Sequence, residues 1–76
     1  MSARKTSYTT AEAAALAVDL ADQAHVHDEL ADRLAARGDS GGAARWRESA
    51  AETRRYEEAA RHGGAHFTAV VHGRAR

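Results

Sequence analysis

The densest group of side chains able to do chemistry is the run His25-Val26-His27-Asp28-Glu29, with Asp22 just before it. On a helix, Asp22 and His25 share a face, because residues three or four apart lie together. A carboxylate followed three residues later by His is the ligand pattern of metal sites inside helical bundles. Asp22 and His25 are therefore metal-ligand candidates. Such sites also need inward Glu side chains, which only Glu57 is placed to supply, so we expect no metal and no other cofactor.

His27 points away from that face, and the alternative to metal binding for this residue is a structural role. It falls in a helical seam with Gln23, and a hydrogen bond from His27 to Gln23, or to a second copy, would fix the register of paired helices. Three more His lie near the C-terminus, where loose binding of Zn²⁺ or Ni²⁺ competes with plain solvation: His62, His66 and His72.

A second candidate group is cationic. Arg47, Arg54 and Arg61 repeat every seven residues and share one helix face, with Arg55 beside them. Such a stripe could contact phosphates or an acidic partner helix. Four Glu on the same segment balance it, and a formal net charge of zero removes any general attraction to DNA. We expect a solvated face, with a small nucleic-acid-associated regulator as the alternative function.

Enzymatic chemistry finds no support in the chain. There is no Cys, no glycine-rich phosphate loop after a strand and no serine elbow. We therefore expect a protein that is not an enzyme.

Composition limits the core. The 76 residues suffice for one small domain, and 20 of the apolar residues are Ala. Four Leu, four Val, one Phe and one Trp cannot fill a deep core, so stability has to come from a partner, a ligand or closely packed Ala-faced helices. No apolar run reaches the ~20 residues of a spanning helix, which favours a cytoplasmic protein without membrane contact. Ten Arg against one Lys resembles the usage of high-GC bacterial genomes.

The first helix is predicted over residues 10–37. Thr9 and Glu12 have the spacing of a capping box, and no Gly or Pro interrupts residues 11–37. Its larger side chains follow a 4-3-4-3 series typical of a heptad seam, and we expect that seam to face a partner: Leu16, Leu20, Gln23, His27, Leu30 and Leu34.

The glycine-rich segment 38–42 predicts a turn, in which Gly38 closes the first helix and Asp39 or Ser40 caps the next. The second helix is predicted over residues 43–62. Its inward stripe is expected to be small except for one large anchor near the turn: Ala43, Trp46, Ala50, Thr53, Tyr56 or Glu57, and Ala60. An acidic first helix would lie beside a more basic second one.

The ends of the chain differ from the hairpin. Within the tail 65–76, residues 65–72 are β-branched and aromatic, which predicts a short extended segment. We expect it to pack Phe67 and Val71 on the hairpin or to stay disordered, in preference to pairing as a strand with a partner. Residues 1–8 are expected to be a flexible N-terminus.

The predicted fold is thus all-α: a long antiparallel helical hairpin over residues 9–64. Two helices leave one side uncovered, which favours dimerisation into a four-helix bundle. We expect a non-enzymatic protein-interaction or assembly module, as a homodimer or with a heterologous protein partner. The expected interface consists of Leu16, Leu20, Gln23, His27, Leu30, Leu34, Trp46, Ala50 and Tyr56.

Residues 27–55 resemble a single tetratricopeptide-type helix-turn-helix. Leu30, Ala31 and Leu34 match its first-helix positions, and Gly38-Asp39, Ala43 and Ala50 match its turn and second-helix small positions. Arg55 stands where the closing Pro is expected, and no second repeat follows. The hairpin also looks like small secreted bacterial helical hairpins with a Trp-x-Gly turn, although Trp46 is followed here by Arg47 and Glu48. Both resemblances concern shape.

Overall fold

The computed structural model describes residues 7–73, and all its regular structure is helical. Helix α1 spans Thr10–Ala36, α2 spans Ser40–Arg61 and α3 spans Gly64–Val71. α1 and α2 form the predicted antiparallel hairpin, and α3 packs at its open end. Residues 1–6 of the expected flexible N-terminus and 74–76 of the expected tail lie outside the described residues.

Local capping residues set both ends of α1. The predicted capping box is present: Thr9 Oγ1 accepts from the Glu12 N–H at 3.0 Å, and a Glu12 carboxylate oxygen accepts from the Thr9 N–H at 2.9 Å. At the other end Arg37 is the C-cap and Gly38 adopts φ +85°, a conformation that favours glycine. α1 therefore begins where it is predicted and ends one residue early.

The turn is shorter than the predicted segment 38–42. Asp39 is the N-cap of α2, and its carboxylate accepts from the Gly42 N–H at 2.9 Å. The cap draws Ser40, Gly41 and Gly42 into the first helical turn, so α2 starts three residues before the predicted position. It ends at Arg61, one residue early, with His62 as its C-cap.

The extended conformation predicted for the tail is wrong over residues 64–71, which form α3. Two contacts with the start of α1 hold this helix. Thr68 Oγ1 accepts from the Tyr8 N–H at 2.9 Å, and the Gly64 N–H donates to Thr10 Oγ1 at 3.1 Å. The Phe67 ring is buried and meets Tyr8 edge-on at 5.0 Å. The expected packing of Phe67 on the hairpin is confirmed, whereas Val71 remains 38% exposed.

The core is built from alanine. Its buried apolar residues are Phe67 and eight Ala: Ala13, Ala17, Ala24, Ala31, Ala43, Ala50, Ala59 and Ala60. Small side chains at the contact let two helices approach closely. The predicted inward stripe of α2 is confirmed, with Ala43, Ala50, Thr53 and Ala60 buried and the larger members half-buried.

The inward line of α1 is displaced from the predicted seam. Ala13, Ala17, Ala24 and Ala31 are buried, and Leu20, His27 and Leu34 continue the same line half-buried. Leu16 and Leu30 flank this line instead of belonging to it, and Gln23 is exposed. The hairpin thus uses its alanines to join the two helices and leaves Leu16 and Leu30 at the edge of the contact.

Candidate interaction surface

The large aliphatic side chains lie at the surface. None of the four Leu or four Val is buried; the Leu are all half-buried, and Val18 and Val26 are 58% and 50% exposed. A hairpin joined through alanine has no interior space for them. Exposed apolar residues mark an interaction site where they form a contiguous patch, whereas single ones are common on any protein surface.

The predicted interface residues divide between two ends of the hairpin. At the open end Leu16, Leu20 and Tyr56 pack against the cluster around Phe67. Beside them Tyr8, Glu12, Ala15 and Leu16 line a shallow, mainly apolar cavity of about 290 Å³. The predicted interface includes Leu16 but not the other three, because the cavity depends on how Tyr8, before α1, lies beside the first turns of that helix.

At the turn end of the hairpin, apolar side chains lie along the edge of the two helices, and α3, at the other end, does not cover them. Leu30, Leu34 and Trp46 are half-buried there. The His27 ring lies 5.0 Å from the Trp46 ring, at an angle of 51°. Ala50, also expected at an interface, has no exposed surface because it is buried in the contact between α1 and α2.

The expected hydrogen bond between His27 and Gln23 is not formed at Nδ1, the buried ring nitrogen of His27. His27 Nδ1 has no hydrogen-bond partner within residues 7–73, and Gln23 is exposed on a neighbouring line of the helix. The His27 ring instead contacts the ring of Trp46.

The Arg stripe faces carboxylates of this same chain. Arg47 binds Asp32 at 3.3 Å and Arg54 binds Asp28, both across the hairpin. The hydrogen bond from Arg54 holds the pKa of Asp28 below its ordinary value and raises the pKa of Arg54. These pairs join an acidic α1 to a basic α2, as the charge distribution predicts.

Arg61 and Arg55, the other two Arg of that group, have different surroundings. Arg61 binds Glu57 at 2.9 Å within α2, as the i,i+4 spacing predicts. Arg55 is exposed beside a shallow polar depression of about 470 Å³, which Arg45, Glu48 and Glu52 also line. Three of the four candidate phosphate-binding Arg are thus already engaged by carboxylates, and acidic side chains surround the fourth.

The metal-ligand candidates are not brought together. Asp22 and His25 are both exposed, and His25 lies 3.6 Å from Glu29. His62 and His66 meet edge-on at 5.4 Å, and His62 Nε2 is 3.4 Å from a Glu58 oxygen. Across residues 7–73 no group of three or more His, Cys, Asp or Glu could hold a metal ion.

Comparison with known proteins gives no family. No family model matches the chain, and no curated protein or solved structure matches it. Among α1, α2 and α3, no helix is long and apolar enough to cross a membrane.

Proposed function

We propose that this chain is a small non-enzymatic interaction or assembly module that works by pairing with a second copy of itself. The observation that carries the proposal is the distribution of apolar side chains. Eight alanines and one Phe form the buried apolar core, while every Leu and Val remains partly exposed. Burying those side chains in a dimer would supply free energy that the narrow monomer core lacks, at about 25 cal/mol per Å² of apolar surface.

The shape of the molecule agrees with this role. Its extents are 42 × 30 × 19 Å and its radius of gyration is 14.6 Å. A compact domain of this length has a radius of gyration of roughly 11 Å. A thin, elongated hairpin has two broad faces, and α3 lies against only part of one. Dimerisation into a four-helix bundle is the common way for such hairpins to cover a face.

The test is the double variant Leu30→Ala/Leu34→Ala at the turn end. If these leucines bind a second copy, the variant loses dimer mass and thermal stability together, and the unfolding midpoint stops rising with protein concentration. Val18→Ala is the matched control, because Val18 is more exposed and lies on the opposite face of α1. A double variant that is monomeric yet as stable as the parent would refute the proposal.

A further inference from the structure

The exposed side of α1 carries a line of residues that is symmetric about its centre. Leu16, Gln23 and Leu30 follow each other at intervals of seven, beside the buried alanine line. Leu16 and Leu30 are half-buried and Gln23 is exposed. We propose that α1 of a second copy packs antiparallel on this line, with the two-fold axis at Gln23. This inference rests on the proposed function and specifies its interface.

Two-fold contacts must be self-complementary, since residue i meets j wherever j meets i. Antiparallel helices centred on Gln23 place residues at equal distances before and after it opposite each other. Leu16 then faces Leu30 of the second copy. Gln23 faces itself, which suits a side-chain amide because it both donates and accepts hydrogen bonds. The sequence thus matches apolar with apolar and polar with polar around one point.

The cavity at the open end fits the same arrangement. Leu16 forms one wall of the apolar cavity of about 290 Å³, together with Tyr8, Glu12 and Ala15. Because Leu30 of the second copy lies opposite Leu16, it faces this cavity. The exposed edge of one copy therefore meets a depression on the other.

Charge selects the antiparallel orientation. Before Gln23, α1 carries Asp19 and Asp22, both exposed; after it come Arg33 and Arg37, also exposed. Two of the three acids of the second half, Asp28 and Asp32, already bind Arg of α2. Antiparallel pairing about Gln23 sets Arg33 beside residues 12–13 of the second copy, on the acidic first half of its α1, whereas parallel pairing would oppose like charges.

The position of α3 is compatible with that orientation. α3 packs beside Leu16 and Leu20, at the N-terminal end of α1. In an antiparallel pair the two N-terminal ends lie at opposite ends of the contact. The two copies of α3 are then kept apart, whereas parallel pairing would bring them to the same end.

The test uses the absence of Cys from this chain. A Gln23→Cys variant places one thiol of each copy at the two-fold axis, where a disulfide between copies can form. His25→Cys is the matched control, because it lies two residues away on the other face of α1 and is also exposed. Under mild oxidation we expect Gln23→Cys to become a covalent dimer at least about tenfold faster than His25→Cys. Light scattering on the unmodified chain gives its oligomeric state in parallel.

The outcomes separate this inference from the proposed function. A dimer by light scattering with equal cross-linking of the two Cys variants would overturn the Gln23-centred contact and leave self-association standing. A monomer at every concentration would overturn both. Preferential cross-linking through Gln23 in a dimeric chain supports both.

A charge exchange tests the orientation. Arg33→Glu/Arg37→Glu replaces the two cations after Gln23 by acids, and Asp19→Lys/Asp22→Lys replaces the two acids before it by cations. We expect each variant alone to weaken dimerisation by about tenfold at low salt, and an equimolar mixture to restore it. Arg45→Glu/Arg55→Glu on α2 is the control with the same charge change. Single variants that dimerise as tightly as the parent chain would contradict the antiparallel pairing, because a parallel pair opposes like charges both before and after the exchange.

Discussion

At the scale of single residues, the contact between Asp28 and Arg54 shows how the two helices recognise each other. Spacing within α2 would pair Arg54 with Glu58, but Arg54 reaches across the hairpin to Asp28, and Glu58 contacts His62 instead. An i,i+4 rule considers one helix at a time. The choice of Asp28 depends on how α1 is rotated against α2, which a charge pattern alone does not give.

This contact makes a titration prediction. Arg54 holds the pKa of Asp28 below its ordinary value of 3.8. Because the folded-state pKa is lowered, the pair stabilises the fold above the ordinary pKa, and that contribution is lost as the pH falls through the folded-state value. In an NMR titration we expect the Asp28 carboxyl to titrate below 3.8, and Arg54→Gln to bring it back towards that value. Arg55→Gln is the control, and an equal response to both variants would contradict the pairing.

At the scale of elements, α3 shows where local preference fails. Phe67, Thr68, Val70 and Val71 favour extended structure, since β-branched and aromatic residues are enriched in strands. This segment has no strand to pair with, but as a helix it buries Phe67 on the alanines of the hairpin and joins Thr68 to Tyr8. Tyr8 and the alanines of α1 in this contact are 50 or more residues away in sequence, so a local pattern could not have revealed it.

The docking of α3 depends on the absence of a side chain at Gly64. A Cβ there would lie 2.3 Å from the Tyr8 carbonyl oxygen and 2.5 Å from the Thr9 carbonyl carbon, and backbone cannot move aside easily. We expect Gly64→Ala to lower the free energy of unfolding by about 1–3 kcal/mol in urea titrations.

Gly41→Ala is the matched control for that variant. Gly41 is an exposed helical position, where the nearest atom to an added Cβ is Asp39 Oδ1 at 4.0 Å. Ala should stabilise α2 there by about 0.5–1 kcal/mol. If Gly64→Ala were as stable as the parent chain, the close approach of α3 to residues 8–10 would be contradicted.

At the scale of the whole molecule, the sequence predicts the hairpin well, but it predicts less well which face of α1 is turned towards α2. Capping residues and the absence of breakers place both long helices, and the small residues of α2 predict its inward stripe. On α1 the leucines dominate the hydrophobic pattern, although the buried line follows the alanines instead. Leucine spacing indicates where apolar surface lies, but the closest helix contact is set by the side chains that allow it.

That rotation is also why the candidate surface emerges only from the structure. With Ala17, Ala24 and Ala31 turned towards α2, Leu16, Gln23 and Leu30 come to the edge of the hairpin. The predicted seam joins these three residues to Leu20, His27 and Leu34, which lie on the inward line, so the leucine spacing alone does not distinguish the two surfaces. The structure separates a line that joins the hairpin from a line available to a second copy.

Self-association can be measured by light scattering after size exclusion at two protein concentrations, with metal assayed on the same peak. We predict a metal-free species with twice the 8.1 kDa mass of the chain, populated more fully at the higher concentration. A single-chain mass at both concentrations would contradict the account.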